Sequence, residues 1–282
     1  MAEPIQGAQV QGAQVQGAQI QGAQVQGAQV IRRVGRVLRV VSEHAPGGVS
    51  TTEVAQQTGL TRPTTHRLLT SLAAEGFLDL DNSHGRWFLG PELYLMGALA
   101  AERHNISDFA QSSVELLARE TGESAFLSAR QGYETICLLR EEGNFPVRSF
   151  VLHEGVRFPL GVASAGLAIL SFLSSAEAEA YLARDLLKAD WGASHAIAVV
   201  RQRIVETRQH GYAVNPGLIV EGSWGMGAAV FDEYGRPSWA LSLTGIESRF
   251  GTSRRPELGR LLLEQAHVIT KKLRNRSTVG RR

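Results

Sequence analysis

An α+β fold in two parts is what the sequence predicts: an N-terminal winged helix-turn-helix, then a C-terminal domain that mixes strands with helices. Three observations predict it. The chain has 282 residues, enough for two modest domains that each bury a core. Between Ile31 and Gly90 the periodicity runs helix, helix, tight turn, helix and hairpin, the order of a winged helix-turn-helix. From Ile106 onward, strand-like runs are interleaved with helical ones.

Residues 6 to 30 are five copies of a five-residue unit, QGAQV or QGAQI, without charge or aromatic residue. A period of five fits neither helix nor strand, and a glycine in every unit adds backbone entropy to be lost on ordering. Written as AQVQG, the unit looks like a pentapeptide-repeat β-helix pattern, but five units give barely one coil and stacked repeats need several. Residues 1–30 are therefore expected to form a disordered arm.

From Ile31 the pattern changes. Val34, Val37, Leu38 and Val41 fall on one helical face, with four arginines off it, and the helix stops at "APGG". Ser50 and Glu53 have capping-box spacing for a short second helix that ends at Gly59. Thr61 can cap a third helix, which makes Pro63 its second residue, where the N–H that proline lacks would have no partner anyway. Leu68, Leu69 and Leu72 supply its buried face and Gly76 ends it. Phe77 to Leu80 and Arg86 to Leu89 read as two strands around a turn of Asp, Asn, Ser and Gly. The domain covers residues 31–90.

Residues 91–107 read as a linker helix whose first half is apolar around most of its circumference, which suits packing against another subunit. Residues 108–275 follow as the second domain, with a helix ("SDFAQSSVELLARETG"), strand-like "SAFLSAR", "ETICLLR" and "VRSFVLH", and helical "SAGLAILSFL" and "SAEAEAYLARD". A further helix, "AVVRQRIVETRQHG", leads into "YAVNPG", two strands joined by a hairpin turn at Asp232 to Pro237, and a closing helix. Residues 276–282 form a basic tail.

With 29 Lys and Arg against 27 Asp and Glu, the net charge of +2 does not point to nucleic acid, but its distribution is suggestive. Ile31 to Gly76 hold six basic residues against three acidic ones, and "KKLRNRSTVGRR" holds six positive charges and no acid. The single Cys137 excludes an intrachain disulfide and a cysteine-clustered zinc site, and sits in an alternating run that reads as a core strand. No two histidines stand three or four residues apart, so a local metal motif is absent, and no cofactor is expected. The start lacks a signal-peptide pattern and the longest nearly apolar run, "GVASAGLAILSFL", is too short to span a bilayer. A soluble cytoplasmic protein without a membrane partner is expected.

In a helix-turn-helix the third helix lies in the major groove with its N-terminal residues at base edges. That position calls for short polar side chains, basic groups for guanine edges or phosphates, and no carboxylate facing a polyanion. Arg62, Thr64, His66 and Arg67 supply these types. Arg86 in the wing is a candidate phosphate or minor-groove contact. Ser50 and Thr51 start the second helix, whose N–H groups can meet a phosphate, although capping alone also explains them.

The stretch "GLTRPTTHRLLTSLAAEGFLDLDNSHGRWFLGPELYLMG" resembles the start of the IclR family of bacterial transcription regulators, in which G-L-x-x-[ST]-T-x-x-R-L-L-x-x-L-x-x-x-G-[YF] runs into a wing. "EGVRFPLGVASAGLAILSFL", "TRQHGYAVNPG" and "GAAVFDEYGRPSWALSLTG" are similar to later stretches of the same family, so the resemblance covers roughly residues 31 to 275 in order. It implies a winged helix-turn-helix joined by a linker helix to a GAF-like, profilin-like domain, an antiparallel sheet flanked by helices that senses a small molecule. It also implies a homodimer or homotetramer on a double-stranded, pseudo-palindromic operator. Thr65 stands where the family usually has an apolar residue, so either it turns inward or its methyl meets a thymine.

The resemblance places effector-binding positions at Ser164, Ala165, Asn215, Gly225, Ser242 and Thr244, with apolar walls from Phe150, Phe158 and Trp224. Asn215 stands where aspartate is common and Gly225 where cysteine is common, while Gly161 and Leu167 replace a frequent His and Lys. These departures favour a larger, partly apolar or aromatic ligand such as an organic acid over a small polar dianion. The expected function is a sequence-specific transcription regulator under effector control, with repression favoured over activation. The alternatives are a sensor that acts through protein partners and, last, an enzyme. For the enzyme, "VASAG" around Ser164 has half a nucleophile elbow, but Val162 replaces its first glycine, and "GSWGMG" lacks the helix that would receive a pyrophosphate.

Overall fold

A computed structural model describes residues 28–103 and 106–279. The expected disordered arm, up to residue 27, and the last residues of the basic tail, 280–282, lie outside the described residues. Those up to Arg103 belong to one unit and those from Ile106 to another.

In the N-terminal unit, α1 (Ala28–Glu43) starts three residues earlier than the expected Ile31, inside the last repeat. The alanine there is a strong helix former and carries the helix back. Val37, Val40 and Val41 of α1 enter a core with Val49, Val54, Leu69, Leu72, Leu78 and Trp87. The short β1 (Val49–Ser50), which periodicity in two residues cannot reveal, pairs with β3 (Arg86–Leu89), and β3 pairs with β2 (Leu78–Asp81) to give the antiparallel order β1-β3-β2.

The turn before α2 (Thr51–Thr58) is set by a reciprocal capping box. Glu53 N donates to Ser50 Oγ at 3.3 Å and Ser50 N to Glu53 Oε2 at 2.8 Å, which lowers the Glu53 pKa. Gly59 then takes a left-handed φ of 67°, a conformation that costs most other residues about 1–2 kcal/mol. The chain is thereby turned into α3 (Arg62–Ala74) with only Leu60 and Thr61 between. Pro63 is the second residue of α3, as the spacing predicts. Thr61 occupies the cap position without making the cap bond; its hydroxyl donates to Thr64 Oγ1 at 2.9 Å instead. Leu69 and Leu72 are buried, whereas Leu68, expected beside them, is only partly so, and Thr65 takes its share of the buried face. The unit closes with α4 (Pro91–Arg103), on which Tyr94, Leu95, Met96 and Leu99 are exposed.

The C-terminal unit is built on a six-stranded antiparallel sheet of order β6-β5-β4-β9-β8-β7. In chain order its elements are α5 (Ile106–Thr121), β4 (Ser124–Gln131), β5 (Glu134–Glu141), β6 (Arg157–Pro159), α6 (Ser164–Phe172), α7 (Ser175–Leu182) and α8 (Leu187–Trp191). Then come α9 (Ile197–His210), β7 (Ala213–Pro216), β8 (Ser223–Phe231), β9 (Pro237–Ile246) and α10 (Arg255–Val279). Alternation along the strands sends Ala125, Leu127, Met226, Ala228, Leu241 and Leu243 to one face, where α5 and α10 cover them. Phe126, Ala229 and Ala240 point to the other face, into a second core with α6, α7 and α9.

One expected strand is absent. "VRSFVLH", residues 147–153, is irregular, and β6 at Arg157–Pro159 takes the sheet edge in its place. Val151 and Leu152 of this irregular segment both line the cavity and pair with no strand.

Candidate nucleic-acid interface and ligand cavity

On α3 the side chains of Arg62, His66 and Arg67 are exposed, and none of them is engaged in an ion pair among the described residues. The helix contains no acidic residue, so its outward face offers donors and nothing that repels an anion. Thr64, half-buried, keeps its hydroxyl at the same end through the Thr61 contact. Thr65 is fully buried and donates back to Thr61 O at 3.1 Å, so it turns inward and is not available to a base.

Arg86 lies at the root of the wing, exposed, with Nη1 donating to Gly48 O at 2.8 Å. That bond ties one nitrogen of an otherwise exposed side chain to the backbone. Ser50 is engaged in the capping box, and Thr51 Oγ1 accepts from the buried Trp87 Nε1 at 2.9 Å, so both have structural duties at the start of α2. At the wing tip the Asp81 carboxylate is held well below the usual range, first by the Ser83 hydroxyl and then by His84.

The C-terminal unit holds a cleft of about 460 Å³ between protein atoms, part of it open to solvent. It lies where α6 begins over the β8–β9 ladder. Ser164, Ala165, Asn215, Gly225, Ser242, Thr244, Phe158 and Trp224 all line it. Phe150 does not: it is 74% exposed and stands over the Arg140 guanidinium at 6.0 Å, because the loop turns Val151 and Leu152 inward in its place.

Register explains the cavity floor. Gly225 pairs with Thr244 and Gly227 with Ser242, so two hydroxyl residues two apart on β9 face inward beside strand positions that carry no side chain. A Cβ on Gly227 would sit 2.9 Å from the Ser164 carbonyl carbon, and one on Gly225 3.1 Å from Ser164 Oγ; glycine is what lets β8 approach the first turn of α6. The Ser242 and Thr244 hydroxyls are both buried without a protein hydrogen-bond partner. Asn215, by contrast, has a partner for both ends of its amide, the nitrogen donating to Val162 O at 2.8 Å and the oxygen accepting from Leu218 N at 2.9 Å. Trp224 is held from outside by Arg255, 4.7 Å above its ring.

Ser128, Thr135, Leu152 and Ile219 also line the cleft, and sequence reading did not single them out. Ser128 and Thr135 are polar residues at inward strand positions, and that was the available signal. No carboxylate, histidine or cation lines the cleft among the described residues. Cys137 lies in the adjoining core, where burial pushes its thiol up to about 12, unsuited to nucleophilic chemistry. The described residues hold no cluster that would bind a metal, and no described helix is long and apolar enough to cross a membrane.

The family model for the IclR helix-turn-helix domain matches residues 30–82, and that for the bacterial transcriptional regulator IclR C-terminal domain matches residues 98–271. Among curated relatives, the HTH-type transcriptional regulator KipR of Bacillus subtilis is 31% identical over 82% of this chain and 91% of its own length. The transcriptional repressor IclR of Escherichia coli is 28% identical over 79% and 82%. Among solved structures, the Thermotoga maritima IclR superposes with a TM-score of 0.66 at 25% identity, covering 88% of this chain and 99% of that one. An IclR homologue from Microbacterium hydrocarbonoxydans, solved with 4-hydroxybenzoate, gives 0.72 at 21% identity over 87% and 99%, and shares the fold.

Proposed function

The chain belongs to the IclR family of bacterial transcription regulators, with a helix-turn-helix DNA-binding domain and an effector-binding C-terminal domain. From that premise we propose that α3 enters a pseudo-palindromic operator with Arg62, Thr64 and His66 at base edges and Arg67 on a phosphate. Arg86 and the start of α2 at Ser50 and Thr51 would hold the backbone phosphates, and a ligand in the C-terminal cleft sets the affinity so that the protein acts as a repressor in the cytoplasm. The observation that carries the DNA reading is the unpaired, acid-free outward face of α3. Sequence discrimination comes from base edges, while affinity comes largely from phosphates and is salt-dependent.

A pseudo-palindromic operator asks for a two-fold protein, and the exposed Tyr94, Leu95, Met96 and Leu99 of α4 give a second copy an apolar face to cover, as a homodimer or as half of a homotetramer. The cleft is read as an effector site and not a catalytic one, since its lining offers hydroxyls and an amide but no acid–base pair. Its apolar walls, Phe158, Leu152, Ile219 and Trp224, favour a partly apolar or aromatic organic acid.

Gel shift on a duplex from the DNA upstream of the protein's own gene, in excess unrelated competitor, tests the DNA reading. Retardation that survives the competitor is expected, and equal loss to any DNA contradicts sequence-specific regulation. For the ligand, 4-hydroxybenzoate and other aromatic acids should raise Tm, since a ligand at 100 times its Kd adds about 2.7 kcal/mol. Stabilisation by short keto acids with none by aromatic acids would reverse the ligand assignment.

A further inference from the structure

Beside the cleft lies a buried charge that has no ion-pair partner among the described residues. Arg203, on α9, is 9% exposed and forms no ion pair among the described residues. Its guanidinium reaches Gly161 O at 3.3 Å and Val214 O at 3.5 Å, and its Nε has no protein partner. The carboxylate that acts on it is the exposed Glu206 on its own helix. Burial lowers its pKa to about 10, which still leaves it charged at neutral pH.

The carbonyls that hold Arg203 flank the cleft. Gly161 lies two residues before Ala163 and three before Ser164, and Val214 immediately precedes Asn215, all three of them lining residues. His195, within reach of the Arg203 charge, is fully buried with Nδ1 on Trp191 O at 2.9 Å; burial first, and then that charge, lower its pKa. The cleft wall itself carries no charge, and Arg203, bonded to carbonyls whose chain neighbours line it, is a buried cation beside that wall.

We propose that Arg203 is a specificity-determining residue, the remote counter-charge that makes the cleft select an anionic ligand over its uncharged isostere. The proposal rests on reading the cleft as the effector site. A buried cation without a partner costs free energy that an anion on the far side of one peptide layer offsets, and a neutral ligand of the same shape does not. Such an interaction through protein is long and partly screened, so its effect is about tenfold in affinity. Because the charge is buried, added salt weakens it little.

Calorimetric titration of the full chain with 4-hydroxybenzoate and 4-hydroxybenzamide, at low and high salt, tests this in the unmodified protein. The acid should bind about tenfold tighter than the amide at both salt concentrations. Arg203→Gln should weaken the acid by that factor and leave the amide unchanged, and Arg203→Lys should restore part of the gap. Equal affinities for acid and amide overturn the proposal while leaving the effector reading intact. So does a gap that collapses with salt, which assigns it to surface charge, or a loss of both ligands alike in Arg203→Gln, which assigns Arg203 a packing role. Binding of neither compound overturns both the proposal and the aromatic-ligand reading it rests on.

Discussion

On α3 the guanidinium groups of Arg62 and Arg67 stand in solvent, whereas in the C-terminal cleft the hydroxyls of Ser242 and Thr244 are shut away from it, and none of the four has an ion pair or hydrogen-bond partner among the described residues. The two situations carry different free energies. An exposed cation without a partner is satisfied by water and contributes only when a polyanion displaces its counterions. A buried hydroxyl without a partner costs about 1–3 kcal/mol until something hydrogen-bonds to it. The outward face of α3 therefore carries no such penalty while empty, and the C-terminal unit carries a local one that a hydrogen-bonding ligand in the cleft would remove.

The largest expected consequence lies on the exposed side. Arg67→Ala should weaken DNA binding across all sequences, flattening the slope of log K against log salt by about one unit. An unchanged slope would remove Arg67 from the phosphate contacts. On the buried side, Ser242→Ala should do the reverse of a usual core substitution. It should leave the ligand-free Tm unchanged or raise it, because it deletes an unpartnered hydroxyl, while reducing the ligand-induced shift. A clear drop in the ligand-free Tm would mean the hydroxyl is already satisfied.

The buried histidine extends the comparison to pH. The His195 pKa lies below its ordinary 6.5, so as pH falls the unfolded chain takes up a proton before the folded one does. The contribution of this group to stability is thus complete above about pH 6.5 and is lost as the pH falls below it toward the depressed folded-state value. Urea midpoints measured on both sides of that window should fall with acid in the unmodified protein and fall less in His195→Gln. Equal falls would place the acid sensitivity elsewhere. The smallest effect is expected at Thr65→Val, which keeps the shape of a fully buried side chain and removes a hydroxyl whose bond to Thr61 O the backbone N–H of Thr65 duplicates. Stability should change by less than about 1.5 kcal/mol, with operator preference retained. Altered base preference would mean Thr65 reaches the DNA after all.

The start of the recognition helix was legible because local chemistry leaves few options there. A proline is tolerated in a first turn, Gly59 stops the preceding helix, and the acid-free run after Thr61 suits a phosphate-facing surface. Thr65 was not decidable, since a threonine can face either way until packing chooses. The loop at 147–153 misled because its alternation imitates a strand, and the inward turn of both Val151 and Leu152 comes from the cleft they wall. Phe150 was carried outward by that same turn. Ser242 and Thr244 entered through family resemblance, and their lack of partners depends on cross-strand register. Arg203 gave no signal at all, because a lone arginine in a helix reads as a surface residue until α9 packs it beneath Gly161.

On the proposed function, occupancy of the cleft sets affinity for DNA. A ligand does this only through different affinities for two states, and the coupling is reciprocal. The direct measurement is fluorescence anisotropy of the upstream duplex, titrated with protein in the absence and presence of a saturating aromatic acid that raises Tm. The account predicts a shift in DNA Kd of about 5-fold or more, lost in Ser242→Ala under the same ligand concentration. A ligand that binds the cleft and leaves the DNA Kd unchanged would contradict it.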